Sequence, residues 1–246
     1  MKSSPHAFAL RYGWTAWPTA GTSFPAAPPP LPTEAWRRDG IPLLEQNWTP
    51  SEIQLTVSAG PDLAPVDIAR LLKGRLQHAL RAAGTPCDFS RKIALRALGE
   101  NTREIVERYI REQLDHADLA DPRYREGLRA LGFTQEATDL SAPTETNSGR
   151  YWYNLHVVLV TDQRYRISRE TAGKITGACR VPSVAECSIM PDHLHLAVKA
   201  SPEQSPRAVA EFFQLATAKA VRVLGLWKET FYVGTFGEYG LKHVRG

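Results

Sequence analysis

An internal repeat constrains the fold of this chain more than any other feature of its sequence. Shifting the chain by 141 residues places residues 51–57 on residues 192–198, and without a gap it places Pro61 on Pro202 and Pro65 on Pro206. In each copy a strand-like run is followed by a proline at the start of an amphipathic helix, where the missing N–H of proline has no cost. The pattern predicts a tandem duplication.

The match continues after a small change of offset, and it sets the expected domain boundaries. With an offset of 138 residues, Phe89 falls on Trp227 and Gly99-Glu100 falls on Gly237-Glu238. Residues 134–150 are polar, contain many small side chains and show no apolar period, which is typical of a linker. We therefore expect a first half at 1–133, a linker at 134–150 and a second half at 151–246.

Composition excludes several classes of protein. With 43% hydrophobic residues among 246, the chain can bury a core, so disorder of the whole chain is excluded. No apolar run approaches the ~20 residues that span a bilayer, and no secretion signal is recognisable. Cys87, Cys179 and Cys187 lack metal-type spacing, so we expect a protein of the reducing cytoplasm that does not contact membranes. The net charge of +4 weakly favours a polyanionic partner.

Two histidines form the first candidate site. His193-Leu194-His195 lies in a strand-like run, and alternation puts both imidazoles on one face and Leu194 on the other. Two neutral imidazoles so placed can bind one divalent cation. The spacing alone is better explained by a pair of surface histidines in an antiparallel strand, because a bare His-x-His occurs often by chance.

A predicted helix at 102–114 carries the second candidate site. Tyr109 and Gln113 are four residues apart and share a face beside an apolar stripe. That stripe consists of Ile105, Val106, Ile110 and Leu114. A tyrosine hydroxyl can attack phosphorus, and a glutamine carbonyl oxygen can bind a metal. Taken alone, the helix is better explained by a half-buried tyrosine beside a solvated glutamine.

A family resemblance joins the two sites. Residues 190–198 (MPDHLHLAV) resemble the His-hydrophobic-His strand of the single-tyrosine HUH transposases, the small enzymes of TnpA-like insertion sequences and REP-associated tyrosine transposases. Residues 231–237 (FYVGTFG) continue that pattern, and in the first copy residues 71–75 (LLKGR) resemble the helix after the HUH strand. Residues 108–113 (RYIREQ) resemble the nucleophile helix. The resemblance extends over most of residues 45–113 and 151–246.

The resemblance implies both a fold and an activity. It implies an α+β protein with two ferredoxin-like (HUH-type) halves, each an antiparallel sheet with flanking helices. It implies cleavage and joining of hairpin-bearing single-stranded DNA through a 5′-phosphotyrosine on Tyr109, with Mg²⁺ or Mn²⁺ held by His193, His195 and Gln113. DNA contacts are expected from basic residues of the helices that follow the central strands. These residues are Arg70, Lys73, Arg75, Arg81, Lys219 and Arg222.

The departures from the family pattern suggest that the two halves complement each other. The first copy has Glu52-Ile53-Gln54 where the histidines belong, and the second copy stops at Gly246, opposite Arg108, before its tyrosine. In the family, one subunit's tyrosine helix serves the other subunit's histidine strand. We therefore expect a single-chain pseudodimer, monomeric in its simplest form, with one composite active site.

Two alternatives remain open at the level of sequence. The chain could be a domesticated transposase that binds structured single-stranded nucleic acid without cutting it. It could also be an unrelated metal-dependent hydrolase that uses His193 and His195, in which case turnover would not depend on Tyr109.

Overall fold

A computed structural model describes residues 7–238 except 118, 120 and 163–165, and it is an α+β protein with two six-stranded sheets and six helices in that part of the chain. The strands are β1 (Ala7–Ala9), β2 (Arg11–Pro18), β3 (Leu43–Trp48), β4 (Ile53–Ser58), β5 (Phe89–Leu98), β6 (Phe133–Thr134), β7 (Thr144–Glu145), β8 (Gly149–Trp152), β9 (Asn154–Thr161), β10 (Val184–Ile189), β11 (His193–Lys199) and β12 (Trp227–Phe236). The helices are α1 (Thr33–Arg38), α2 (Pro65–Ala82), α3 (Arg103–Glu112), α4 (Pro122–Arg129), α5 (Arg169–Cys179) and α6 (Pro206–Val221).

The two sheets have the same internal order. The N-sheet runs β3-β4-β2-β5-β8-β7, and the C-sheet runs β10-β11-β9-β12 with β6 beyond β10 and β1 beyond β12. The four strands β2, β3, β4 and β5 form a β-α-β-β-α-β unit with α1 and α2, and the pairings among these four strands are antiparallel. The strands β9, β10, β11 and β12 repeat that arrangement with α5 and α6.

Local sequence explains the elements of the repeat. In β11 the side chains of Leu194, Leu196 and Val198 are at most 1% exposed and belong to the main core, as alternation requires of a strand with one face against helices. Pro65 and Pro206 begin α2 and α6, as predicted. The hydroxyl of Ser205 accepts a hydrogen bond from the amide of Ala208 and so caps α6.

The halves exchange strands. β1 pairs in parallel with β12 of the C-sheet, and the chain then enters the centre of the N-sheet as β2. In the same way β8 pairs in parallel with β5 of the N-sheet before the chain enters the centre of the C-sheet as β9. The two parallel pairings also have the same register. Phe8 lies opposite Val233 in one, and Tyr151 lies opposite Leu95 in the other, and the 138-residue offset places Leu95 on Val233.

Helices α2 and α6 meet through reciprocal hydrogen bonds. The amide of Val66 donates to the carbonyl of Pro202 at 3.1 Å, and the amide of Arg207 donates to the carbonyl of Pro61 at 2.8 Å. The 141-residue offset converts each of these bonds into the other. Each hydrogen bond therefore has a counterpart at the equivalent positions of the other helix.

Residues 134–150, predicted to be a linker, run between the sheets but are packed against them. β6 joins the C-sheet, and β7 and β8 join the N-sheet. Leu140 is 3% exposed, and its carbonyl accepts a hydrogen bond from Asn154. An isolated apolar residue and two-residue strands leave no period in the sequence, so composition could not reveal this packing. The domain boundaries themselves stay a prediction.

Two expectations concern other parts of the chain. Residues 239–246, where the second copy was expected to break off, lie outside the described residues. None of the helices that the structure describes has the length and apolar character needed to cross a bilayer.

Candidate active site between the halves

Helix α3, from the first half, lies on the face of the C-sheet opposite the main core. Val106 and Ile110 are buried there in a small cluster with Ala185, Ala197 and Phe236. The amide of Arg103 donates to the carbonyl of Gly237 at 2.7 Å, so the start of the helix is also fixed to the second half. This packing carries residues of the first copy onto a sheet built largely from the second.

The same face of the C-sheet presents the histidine pair. In β11, Leu194 points into the core, so His193 and His195 project from the other face with their ring centroids 4.9 Å apart. His195 is 4% exposed, whereas His193 is only partly buried.

Tyr109 of α3 meets this pair. Its ring centroid lies 5.8 Å from that of His195 in an edge-on arrangement, and the tyrosine is 48% exposed. Gln113, just past the last helical residue of α3, lines a surface cavity of about 500 Å³ together with Asp192 and His193. The structure therefore brings Tyr109, Gln113, His193 and His195 into one region.

A third histidine, which the sequence did not single out, completes the cluster. His156 of β9 has its Nε2 3.0 Å from Nδ1 of His195, and the two rings stack with centroids 5.3 Å apart. The ring of Tyr109 also lies edge-on to His156 at 6.0 Å. The signal in the sequence was a histidine within the apolar run of β9. Which residue of β11 lies beside it depends on the strand register, and the sequence does not give that register.

Burial keeps the inner histidines uncharged. Removal from water lowers the pKa of His156 to about 4. Burial, together with the charges of His156 and His193, lowers the pKa of His195 to about 2. Both rings are neutral at pH 7, which is the state in which an imidazole binds a metal.

The donor set fits a divalent cation. Nδ1 of His193 bonds Oδ1 of Asp192 at 2.6 Å, and Nδ1 of His195 faces His156, so in both rings Nε2 is the nitrogen left to bind a ligand. Nε2 of His195 is buried and has no hydrogen-bond partner among the described residues. No cluster of three or more His, Cys, Asp or Glu side chains suited to a metal exists in the described part of the chain. Gln113 lines the same cavity as His193, and its role as the third donor stays a prediction. Two imidazoles and one amide oxygen suit Mn²⁺ better than Mg²⁺.

An ion pair between the half-exposed Arg111 and the buried Glu186, also missed by the sequence analysis, fixes the far end of α3. Arg111 donates to Oε1 of Glu186 at 2.5 Å, and the hydroxyl of Thr134 donates to Oε2 at 2.8 Å. Glu186 is 3% exposed. The pair joins the helix that carries Tyr109 to strand β10 of the histidine sheet.

The predicted DNA-binding cations lie on α2 and at the end of α6, away from this cluster. On α2, Arg70 pairs with Asp67, Arg75 binds Asp39 through two hydrogen bonds, and Lys73 donates to the carbonyls of Ser90 and Arg91. Arg81, Lys219 and Arg222 are exposed. The structure thus engages three of the six cations within the protein.

Comparison with known protein families finds no matching family model, and comparison with curated proteins finds no significant relative. The functional assignment therefore depends on the geometry described above.

Proposed function

We propose that this protein cleaves and rejoins single-stranded DNA through a phosphotyrosine on Tyr109, as a single-chain pseudodimer of the single-tyrosine HUH transposase type. The observation that carries the proposal is the approach of Tyr109, from one half, to within 5.8 Å of His195, from the other half. Nucleophilic attack on a phosphodiester needs a nucleophile and a way to stabilise negative charge on the phosphate. The phenol of Tyr109 can supply the first, and a cation bound by the neighbouring histidines can supply the second.

The proposal includes the ferredoxin-like character of both halves and their origin by duplication. Two observations support it: both β-α-β-β-α-β units have the same strand order, and the contacts between α2 and α6 are reciprocal. Exchange of β1 and β8 across the two-fold is the arrangement expected of a dimer fused into one chain.

His193, His195 and Gln113 would hold the divalent cation, which stabilises negative charge on the scissile phosphate when it is bound. The phenolic oxygen of Tyr109 forms a bond to phosphorus while the bond from phosphorus to the 3′ oxygen breaks. The phenol loses its proton and the departing 3′ oxygen gains one. The products are a 5′-phosphotyrosine and a free 3′ hydroxyl, and attack by a 3′ hydroxyl reverses the step.

The proposed protein has one such site. The equivalents of His193 and His195 in the first half are Glu52 and Gln54, and Gln54 Nε2 donates to Glu52 at 2.9 Å. This hydrogen-bonded pair offers no imidazole nitrogen to a metal. We therefore expect the protein to cut and rejoin one DNA end at a time.

The test uses a hairpin-bearing single-stranded oligonucleotide in Mn²⁺. Because the strand on the 3′ side stays attached to Tyr109, an oligonucleotide labelled at its 3′ end should give a labelled protein, and one labelled at its 5′ end should not. Tyr109→Phe should abolish the adduct while keeping DNA binding. Tyr124→Phe should retain it, because this change only removes a hydroxyl of α4 that donates a hydrogen bond to the carbonyl of Ile167.

Three outcomes would contradict the proposal. Binding without an adduct under varied metals would favour a non-catalytic binder of structured nucleic acid. Cleavage that persists in Tyr109→Phe would favour a hydrolase that uses the histidines alone. An adduct that survives His195→Ala would remove the histidine pair from the mechanism.

A further inference from the structure

We infer that His156 is a positioning residue that fixes the ring tautomer of His195, so that Nε2 of His195 presents its lone pair to the cation. The inference deepens the proposed function and rests on it for the identity of the ligand. It is based on the contacts among Tyr109 of the first half and His156 and His195 of the second half.

The hydrogen bond between the two rings permits only two arrangements. His156 Nε2 and His195 Nδ1 are 3.0 Å apart, and one proton must lie between them. If His195 carries that proton on Nδ1, its Nε2 has a free lone pair. If His156 carries it, neutral His195 must be protonated on Nε2 and cannot bind a metal there.

The surroundings of His195 favour the first arrangement, because a proton on its Nε2 would have no acceptor among the described residues. Its Nε2 is buried without a partner among the described residues, and a buried polar atom left unpaired costs about 1–3 kcal/mol. A metal satisfies a lone pair at this atom but cannot satisfy an N–H. An outer hydrogen bond that fixes the tautomer of a histidine ligand is the usual way in which proteins orient such ligands.

The fold also holds His156 firmly in place. Its backbone lies opposite Ala197 in β11 and Gly234 in β12, so it occupies a central strand with neighbours on both sides. The ring of Tyr232 contacts one side of the His156 ring, with the two centroids 5.7 Å apart. The ring of Tyr109 lies edge-on to the His156 ring, at a centroid distance of 6.0 Å.

The other half provides an internal comparison. Gly13 lies opposite Thr56 in the N-sheet as His156 lies opposite Ala197 in the C-sheet, and Thr15 lies opposite Gln54 as Val158 lies opposite His195. The half with Gln54 in place of His195 therefore also has glycine in place of His156. The two imidazoles are present together or absent together.

The first measurement is the ring-nitrogen NMR spectrum of the metal-free protein labelled with ¹⁵N-histidine. Wild-type His195 should be protonated on Nδ1. In His156→Phe, which has no acceptor, the proton should move to Nε2. In His156→Gln the amide oxygen reaches the place of the imidazole Nε2, so the Nδ1 tautomer should persist.

The second measurement is the affinity for Mn²⁺, followed by calorimetry or electron paramagnetic resonance. His156→Phe should weaken Mn²⁺ binding by about 10–100-fold, the usual effect of losing such a partner. His156→Gln should bind within about threefold of wild type. His78→Gln, which removes an exposed histidine from α2, is the matched control and should not change the affinity.

The outcomes separate this inference from the proposed function. Wild-type His195 protonated on Nε2 would overturn the inference whether or not the protein cuts DNA. A wild type with the Nδ1 tautomer and His156-dependent Mn²⁺ binding, but without a DNA adduct, would support the inference and overturn the proposed function. If His156→Phe fails to fold, the NMR spectra of the wild type and of His156→Gln still test which nitrogen of His195 carries the proton.

Discussion

At the scale of single residues, the buried carboxylate of Glu186 shows how one side chain can position a helix. Its oxygens bond Arg111 of α3 and Thr134 of β6, so it joins a helix of the first half and the start of the predicted linker to a strand of the second half. A buried carboxylate is tolerated only when it is paired in this way.

Arg111→Met should therefore lower the free energy of unfolding by about 2 kcal/mol, because it leaves Glu186 with a single neutral partner. Methionine keeps most of the apolar stem of arginine, so the loss reflects the missing charge. Urea denaturation of Arg111→Met, Glu186→Gln and the double variant measures the coupling. Additive effects in that cycle would show that the pair does not interact energetically.

The two inner histidines predict a pH dependence of stability without metal. The pKa of His156 falls to about 4 and that of His195 to about 2, whereas both are near 6.5 in the unfolded chain. The unfolded state therefore binds protons first, and stability should fall as the pH drops from 6.5 towards 4, by about 1.4 kcal/mol per pH unit for each histidine.

Urea denaturation in EDTA at several pH values measures this slope. His156→Phe should reduce it by about half, whereas His78→Gln, an exposed histidine, should leave it unchanged. A slope that is the same in His156→Phe and wild type would contradict burial of a neutral His156.

At the scale of elements, the ends of β5 and β12 pass close to each other at the two-fold. A Cβ at Gly99 would lie 2.7 Å from the carbonyl oxygen of Thr235, and a Cβ at Gly237 would lie still closer to the carbonyl oxygen of Ala97. These contacts are equivalent under the 138-residue offset. The glycine of each Gly-Glu pair in the repeat is thus explained by the close approach of another backbone segment.

Gly99→Ala and Gly237→Ala should each destabilise the protein by about 1–3 kcal/mol, since the neighbouring atoms belong to the backbone and cannot swing aside. Gly74→Ala is the control, because nothing lies within 4 Å of the added carbon in the middle of α2. It should instead stabilise the protein by about 0.5–1 kcal/mol. Thermal unfolding of the three variants tests the contrast, and equal effects would contradict it.

At the scale of the whole molecule, the exchanged strands and α3 make each half depend on the other. β1 extends the C-sheet, β8 extends the N-sheet, and α3 covers the histidine face. We therefore expect that the two halves of the sequence do not fold independently.

A cleavable site inserted after Ala137, at an exposed turn, tests this dependence. After proteolysis the two fragments should stay together and elute as one particle in size-exclusion chromatography. If the composite site is correct, labelled DNA should attach to the fragment that carries Tyr109, although the histidines lie in the other fragment. Fragments that separate without denaturant would contradict the interlocked arrangement.

The sequence by itself predicted an internal repeat, several of the strands, the prolines that begin α2 and α6, and the common face of His193 and His195. These features depend on short-range periodicity, on proline at helix starts and on a repeat that survives in the spacing of residues. The helical period placed Tyr109 and Gln113 on one face beside an apolar stripe, and the family resemblance made these two residues candidates.

Only the tertiary structure decided which residues meet across the halves. The proximity of His156 to His195 depends on strand register, the Arg111–Glu186 pair depends on where α3 packs, and the order in residues 134–150 depends on pairing with strands far away in the chain. Such contacts join positions separated by tens of residues, and they form because all the apolar faces must be buried at once. No local pattern contains that information.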